Sequence, residues 1–74
     1  MKSFIMFAVF FTDCNSWQVF EDKKVALSIF KDCYTGDFKV IRVYGKKVKE
    51  DLLELSDKGI DCGDTIDTYC KVIA

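Results

Sequence analysis

Residues 2–12 read Lys-Ser-Phe-Ile-Met-Phe-Ala-Val-Phe-Phe-Thr, and every residue from Phe4 to Phe11 is apolar. How this block is read decides the fold. Nothing else in the 74 residues is so apolar, so the remainder must be arranged to cover it. Three readings compete. A membrane span needs about 20 apolar residues, so the block is too short to cross a bilayer. The apolar core of a secretory signal runs about 7–15 residues, and Lys2 stands where such a signal carries its charge. Small residues at Cys14 and Ser16 offer a cleavage site, but cleavage after Ser16 leaves Cys33, Cys62 and Cys70, an odd set for a disulfide framework. A strand buried on both faces also reads as one continuous apolar run. That third reading is adopted, with Phe4–Phe11 as a central strand and Phe7 and Val9 as candidate core residues.

Seventy-four residues make one domain, close to the lower limit for a core without covalent staples. Half of the residues are hydrophobic and 15% are aromatic, which is not the composition of a disordered chain. The net charge is −1 and gives no global bias toward nucleic acid, yet its distribution is uneven. Residues 1–49 carry nine basic and five acidic side chains; residues 50–74 carry two basic and seven acidic ones.

Outward from the first strand, the cluster at residues 12–16 predicts a turn. Trp17-Gln18-Val19-Phe20 alternates as a short edge strand does, folded back as a hairpin. Asp22 is placed to cap a helix. Val25, Ile29 and Cys33, with Ala26 and Phe30 beside them, form its apolar stripe, and Gly36 is placed to end it in a left-handed conformation. Residues 37–44 predict a second strand, with Phe38, Val40, Arg42 and Tyr44 on one face and Lys39, Ile41 and Val43 on the other. Gly45 breaks the run. A second helix is expected over residues 48–58, with Val48, Leu52 and Leu55 inward and Gly59 as its stop. Lys46 and Lys47 are left outside it because cations oppose the dipole at a helix N-terminus. The tail from Gly63 fits either a helix through Ile66, Tyr69, Cys70 and Ile73 or a strand; its β-branched residues tilt the reading to a strand. The expected fold is α+β: a three- or four-stranded sheet and two amphipathic helices.

Chemistry-bearing motifs are few. The chain has no histidine, which removes Cys-His and Ser-His-Asp nucleophiles. Cys14, Cys33, Cys62 and Cys70 lack the close pairs of a zinc site. The loop from Asp57 fails as a calcium loop, because its position 6 is Cys62 and its position 12 is Thr68. No phosphate loop or dinucleotide fingerprint is present. The expectation is a protein that is not an enzyme, with no metal, no cofactor and no membrane association. Four reduced thiols in a cytoplasmic protein are expected, the alternative being a secreted disulfide-stapled peptide.

Two charged features remain. Glu50, Glu54 and Asp57 recur at helical spacing, followed by Asp61, Asp64 and Asp67; with Trp17 they are the candidate surface for a protein partner, against the alternative of a solvated face. Lys39, Arg42, Lys46, Lys47 and Lys49, interleaved with Phe38 and Tyr44, are the candidate surface for nucleic acid, since charge and stacking together hold single strands.

In texture the chain resembles the small accessory proteins of large tailed bacteriophages. The residues that carry this are the Phe4–Phe11 block at the start and the strand-helix-strand run from Val19-Phe20-Glu21-Asp22 through Asp37-Phe38-Lys39-Val40-Ile41-Arg42-Val43-Tyr44. The resemblance implies a protein-binding module that inhibits a host or defence protein in the host cytoplasm. It assigns no functional residue.

Overall fold

A computed structural model describes residues 2–74. The element order is β1 (Ser3–Phe11), β2 (Ser16–Phe20), α1 (Lys23–Asp32), β3 (Thr35–Tyr44), α2 (Lys46–Asp57), α3 (Gly63–Tyr69) and β4 (Cys70–Val72). The four strands form one antiparallel sheet in the order β2-β1-β3-β4, so the apolar block is an interior strand as expected. Phe10 faces Trp17 across the hairpin, and Met6 faces Ile41 on the other side.

β2 and β3 both run antiparallel to β1, on opposite sides of it, so the chain between them must cross over β1. Helix α1 makes that crossing and covers one sheet face; α2 and α3 cover the other. Strand alternation then divides the block. Met6 and Ala8 point into the α2–α3 core with Val19, Ile41, Val43, Leu52, Cys62 and Ile66, while Phe4 packs at its margin. Val9 is fully buried on the α1 side, as is Ala26 of α1. Phe7 is half-buried there and stacks on Phe38 at 6.3 Å, with Phe30 of α1 against Phe38 at 5.6 Å.

Asp22 caps α1 as expected, accepting from the backbone N–H groups of Lys24 (2.8 Å) and Val25 (3.4 Å). The buried stripe, however, is rotated by one residue. Ala26 is inward with Ile29 and Phe30, whereas Val25 is 47% exposed and Cys33 is exposed. Gly36 does not end the helix, either. The helix stops at Asp32, where the Thr35 hydroxyl donates to the Phe30 carbonyl at 2.7 Å. Gly36 lies in β3 at a bulge: Phe10 pairs with Asp37 and Phe11 with Thr35, leaving Gly36 unopposed. A Cβ on it would stand 2.8 Å from Thr12 Cγ2, so any other residue there requires the Thr12 side chain to shift.

Helix α2 begins at Lys46, two residues earlier than the dipole argument predicts. Gly45, with φ of 92°, sets the start by turning the chain out of β3. Lys46 and Lys47 are each offset by an acid one turn on, Glu50 and Asp51, both at 3.9 Å. At the other end Gly59, with φ of 72°, closes a Schellman motif: its N–H reaches Ser56 O at 3.1 Å, and the Ile60 N–H reaches Leu55 O at 2.9 Å. The tail departs most from expectation. Residues 63–69 are a third helix, and only 70–72 form a strand, paired with β3.

Candidate functional site

The α2–α3 side is built by the segment that joins these helices. Residues 60–62 run along the free edge of β2 and, with Ser56 of α2, pair with its outward backbone groups at Trp17 and Val19. Cys62 N–H donates to Trp17 O at 2.9 Å, and Trp17 N–H donates to an Asp61 carboxylate oxygen at 2.7 Å. Val19 N–H donates to Ser56 Oγ at 2.8 Å, and Gln18 Nε2 donates to Ile60 O at 3.3 Å. Gln18 is therefore buried, not solvent-facing as strand alternation suggests. The same Asp61 oxygen accepts from Gly63 N–H at 3.1 Å, fixing the first turn of α3. An edge strand that would otherwise template aggregation is thereby covered.

Anchored this way, α3 stands alongside α2 and the two enclose an open groove of about 450 Å³. Val48 and Leu55 of α2 supply its apolar floor, Tyr69 of α3 its wall, and Asp51 and Glu54 its acidic rim. Tyr69 is 57% exposed, which leaves an aromatic face available to a ligand. Thr65 and Tyr69, one turn apart, face the groove, while Ile66 of the same helix is buried in the core.

The candidate residues of the acidic surface take different positions. Glu54 is on the groove rim and holds Lys58 at 3.0 Å. Glu50 is exposed and lies 3.9 Å from Lys46. Asp57, Asp64 and Asp67 are exposed and have no ion pair among the described residues. Asp61 is committed to backbone N–H groups. Trp17 is half-buried, tilted against Phe10 at 5.2 Å with the Lys39 ammonium 5.0 Å above its ring. Asp51, Thr65 and Tyr69 of the groove are missing from the sequence-based set. Reading the tail as a strand removes the second wall, and without it Val48 and Leu55 read only as core.

The basic candidates do not form one surface. Phe38 is in the α1 core, and Lys39 lies over Trp17 on the opposite face. Lys49 bridges to Glu21 at 2.8 Å and sits 4.4 Å from the Phe4 ring centroid. Arg42 and Tyr44 remain together on the α1 side of the sheet.

All four cysteines stand as free thiols, Cys14 and Cys33 exposed, Cys62 buried and Cys70 half-buried. Burial pushes the Cys62 thiol above its ordinary value, opposed by the Ser56 hydroxyl at 3.3 Å; burial also raises Cys70, reinforced by Cys62 nearby. A raised thiol is mostly protonated at neutral pH, so neither is poised as a nucleophile. No group of three or more potential metal-ligating side chains is brought together among the described residues, and no helix there is long and apolar enough to cross a membrane. Comparison with known proteins returns no matching family model, no matching curated protein and no matching solved structure.

Proposed function

We propose that this chain is a non-enzymatic protein-binding module whose α2–α3 groove takes a basic, partly apolar segment of another protein. The observation that carries this reading is the groove itself: an apolar floor and an exposed tyrosine wall, rimmed by carboxylates, in the half of the chain where acids outnumber bases seven to two. Lys47 and Lys58 already pair with Asp51 and Glu54, so the uncompensated negative charge in this half of the chain rests with acids such as Asp57 and Asp64. A partner side chain seated on Val48, Leu55 and Tyr69 would bury apolar area, while flanking lysines or arginines would meet Asp51, Glu54 and the unpaired Asp57 and Asp64. Charge of this kind sets association rate and partner choice more than affinity. The resemblance to phage accessory proteins supplies the kind of partner: a host or defence protein inhibited in the host cytoplasm.

The test is affinity capture from the native host with tagged wild type, Glu50→Lys/Glu54→Lys and Tyr69→Ala, each first shown to be folded by circular dichroism. A protein retained by wild type and lost from both variants supports the groove. The same protein retained by both folded variants assigns the acids to a solvated face and removes the groove from consideration.

A further inference from the structure

The α1 side of the sheet is only partly covered. Helix α1 leaves β2 after Phe20, which pairs with Phe7, and returns to β3 at Thr35, so it roofs Phe7, Val9 and Phe38 and stops short of the other end of the sheet. On that open end Ser3 pairs with Tyr44, Ile5 with Arg42, and Arg42 with Lys71 of β4. Two cations are thus directly opposed across a strand pair, an arrangement that destabilises a sheet. Neither has a carboxylate within 4 Å among the described residues. Among the described residues, the one side-chain hydrogen bond that Arg42 makes is a weak one, from Nη1 to Ser3 Oγ at 3.3 Å. Beside them Ile5, Tyr44 and Ile73 are each at least 40% exposed. Tyr44 pairs on β1 with the small side chain of Ser3 and is 40% exposed.

Two opposed cations without a counter-ion, set beside exposed apolar side chains, are a departure of the kind expected where a ligand supplies what the fold lacks. The missing component is an anion between Arg42 and Lys71, next to an aromatic face. We propose that this open half-sheet binds single-stranded nucleic acid, with a backbone phosphate between Arg42 and Lys71 and a base stacked on Tyr44. The guanidinium offers two parallel donors matched to phosphate oxygens. Tyrosine stacks on any base, so the site is tolerant of sequence. This surface is on the other side of the sheet from the α2–α3 groove and does not rest on the protein-binding reading.

Fluorescence anisotropy of labelled oligo-dT and oligo-U, titrated with full-length protein at several salt concentrations, tests the proposal. Binding that weakens with salt is expected. Arg42→Gln with Lys71→Gln lowers the slope of log K against log salt by about 0.7, the share of the one phosphate they hold between them on a single strand. Tyr44→Leu weakens binding by about five- to a hundred-and-fifty-fold, the range of one lost stack. Lys31→Gln with Lys58→Gln, at the far end of the molecule, leaves the affinity near that of wild type. Lys71→Glu gives Arg42 a partner of opposite charge; it both abolishes binding and raises the thermal midpoint. Folding of each variant is checked by circular dichroism. The proposal is overturned by absent binding at low salt, by binding that ignores these variants, or by a Lys71→Glu variant that is no more stable than wild type. It is equally overturned if polyglutamate displaces the oligonucleotide and Tyr44→Leu has no effect, which makes the occupant an acidic protein. Sedimentation showing wild-type self-association that Lys71→Glu abolishes would make it a second copy of this chain.

Discussion

Asp61→Ala tests whether the edge of β2 and the start of α3 are held by one carboxylate. That side chain accepts from Trp17 N–H at 2.7 Å and from Gly63 N–H at 3.1 Å, joining two segments 44 residues apart. Hydrogen bonds to a charged group are worth about 1.5–3 kcal/mol each. Asp61 is exposed, so water replaces part of what is lost and each bond falls to about the 1 kcal/mol of an ordinary hydrogen bond: roughly 2 kcal/mol for the pair. For a domain of this length each kcal/mol moves the midpoint by about 4–8 °C, so thermal denaturation followed by circular dichroism should show a drop of about 8–16 °C. Asp61→Asn keeps an acceptor oxygen and loses only the charge, so it should fall between alanine and wild type. Amide hydrogen exchange at Trp17 gives the local readout, with protection lost in the alanine variant and largely kept at Val19, whose N–H is held by Ser56. An Asp61→Ala midpoint within about 3 °C of wild type, less than a typical 1 kcal/mol shift, would refute the reasoning. Asp61 would then be one more free acid on the partner-facing side.

Gly36→Ala places a Cβ 2.8 Å from Thr12 Cγ2 and should cost about 1–3 kcal/mol by overpacking; Thr12→Ser removes that methyl, keeps the hydroxyl, and should recover most of the loss in a double-mutant cycle. Met6→Ala empties a fully buried position between the sheet and α2 and should cost about 2–5 kcal/mol, half or more of the stability of a chain this short, read as a shift in urea midpoint. A thiol reagent near neutral pH should modify Cys14 and Cys33 quickly and Cys62 and Cys70 slowly, and all four should react alike in denaturant. Because folding raises the last two thiols, the folded state binds their protons more tightly. Their contribution to stability is full below the ordinary value of 9.0 and is lost as pH rises beyond it, so wild type should weaken at alkaline pH more than Cys62→Ala/Cys70→Ala does.

Most of the sheet was legible because it rests on a period of two. The parity of Phe38, Val40, Arg42 and Tyr44 against Lys39, Ile41 and Val43 assigned both faces of β3 correctly. Asp22, Gly45 and Gly59 marked boundaries because each is required by backbone geometry or by orphan donors at that position. Residues 63–69 were misread because seven residues give too short a periodic signal, and Thr65, Ile66 and Thr68 favour strands locally. Docking of Cys62 and Ile66 into the core outweighs that preference. The late start given to α2 failed for a similar reason. Dipole terms of about 0.3–1 kcal/mol at an exposed terminus are smaller than the constraint imposed by the turn at Gly45.

The candidate sites were less legible because a charged residue's role depends on partners that are remote in sequence. Glu50, Glu54, Asp57, Asp61 and Asp64 look alike in a sequence, yet the fold divides them into acids with lysine neighbours, one acid bonded to backbone, and acids left free. That division sharpens the functional test. Reversing Glu54 also strands Lys58, so the variant changes local charge by more than the substituted residue. Asp57→Asn with Asp64→Asn removes charge that has no ion-pair or side-chain hydrogen-bond partner among the described residues. If the acidic rim steers a basic partner, this neutral pair of changes should slow association measurably at low salt, leave dissociation nearly unchanged, and lose its effect as the salt concentration rises. Stopped-flow or surface-based kinetics with the captured partner read both rates. A dissociation rate that rises while association stays constant would place these aspartates in direct contact with the partner and refute a steering role.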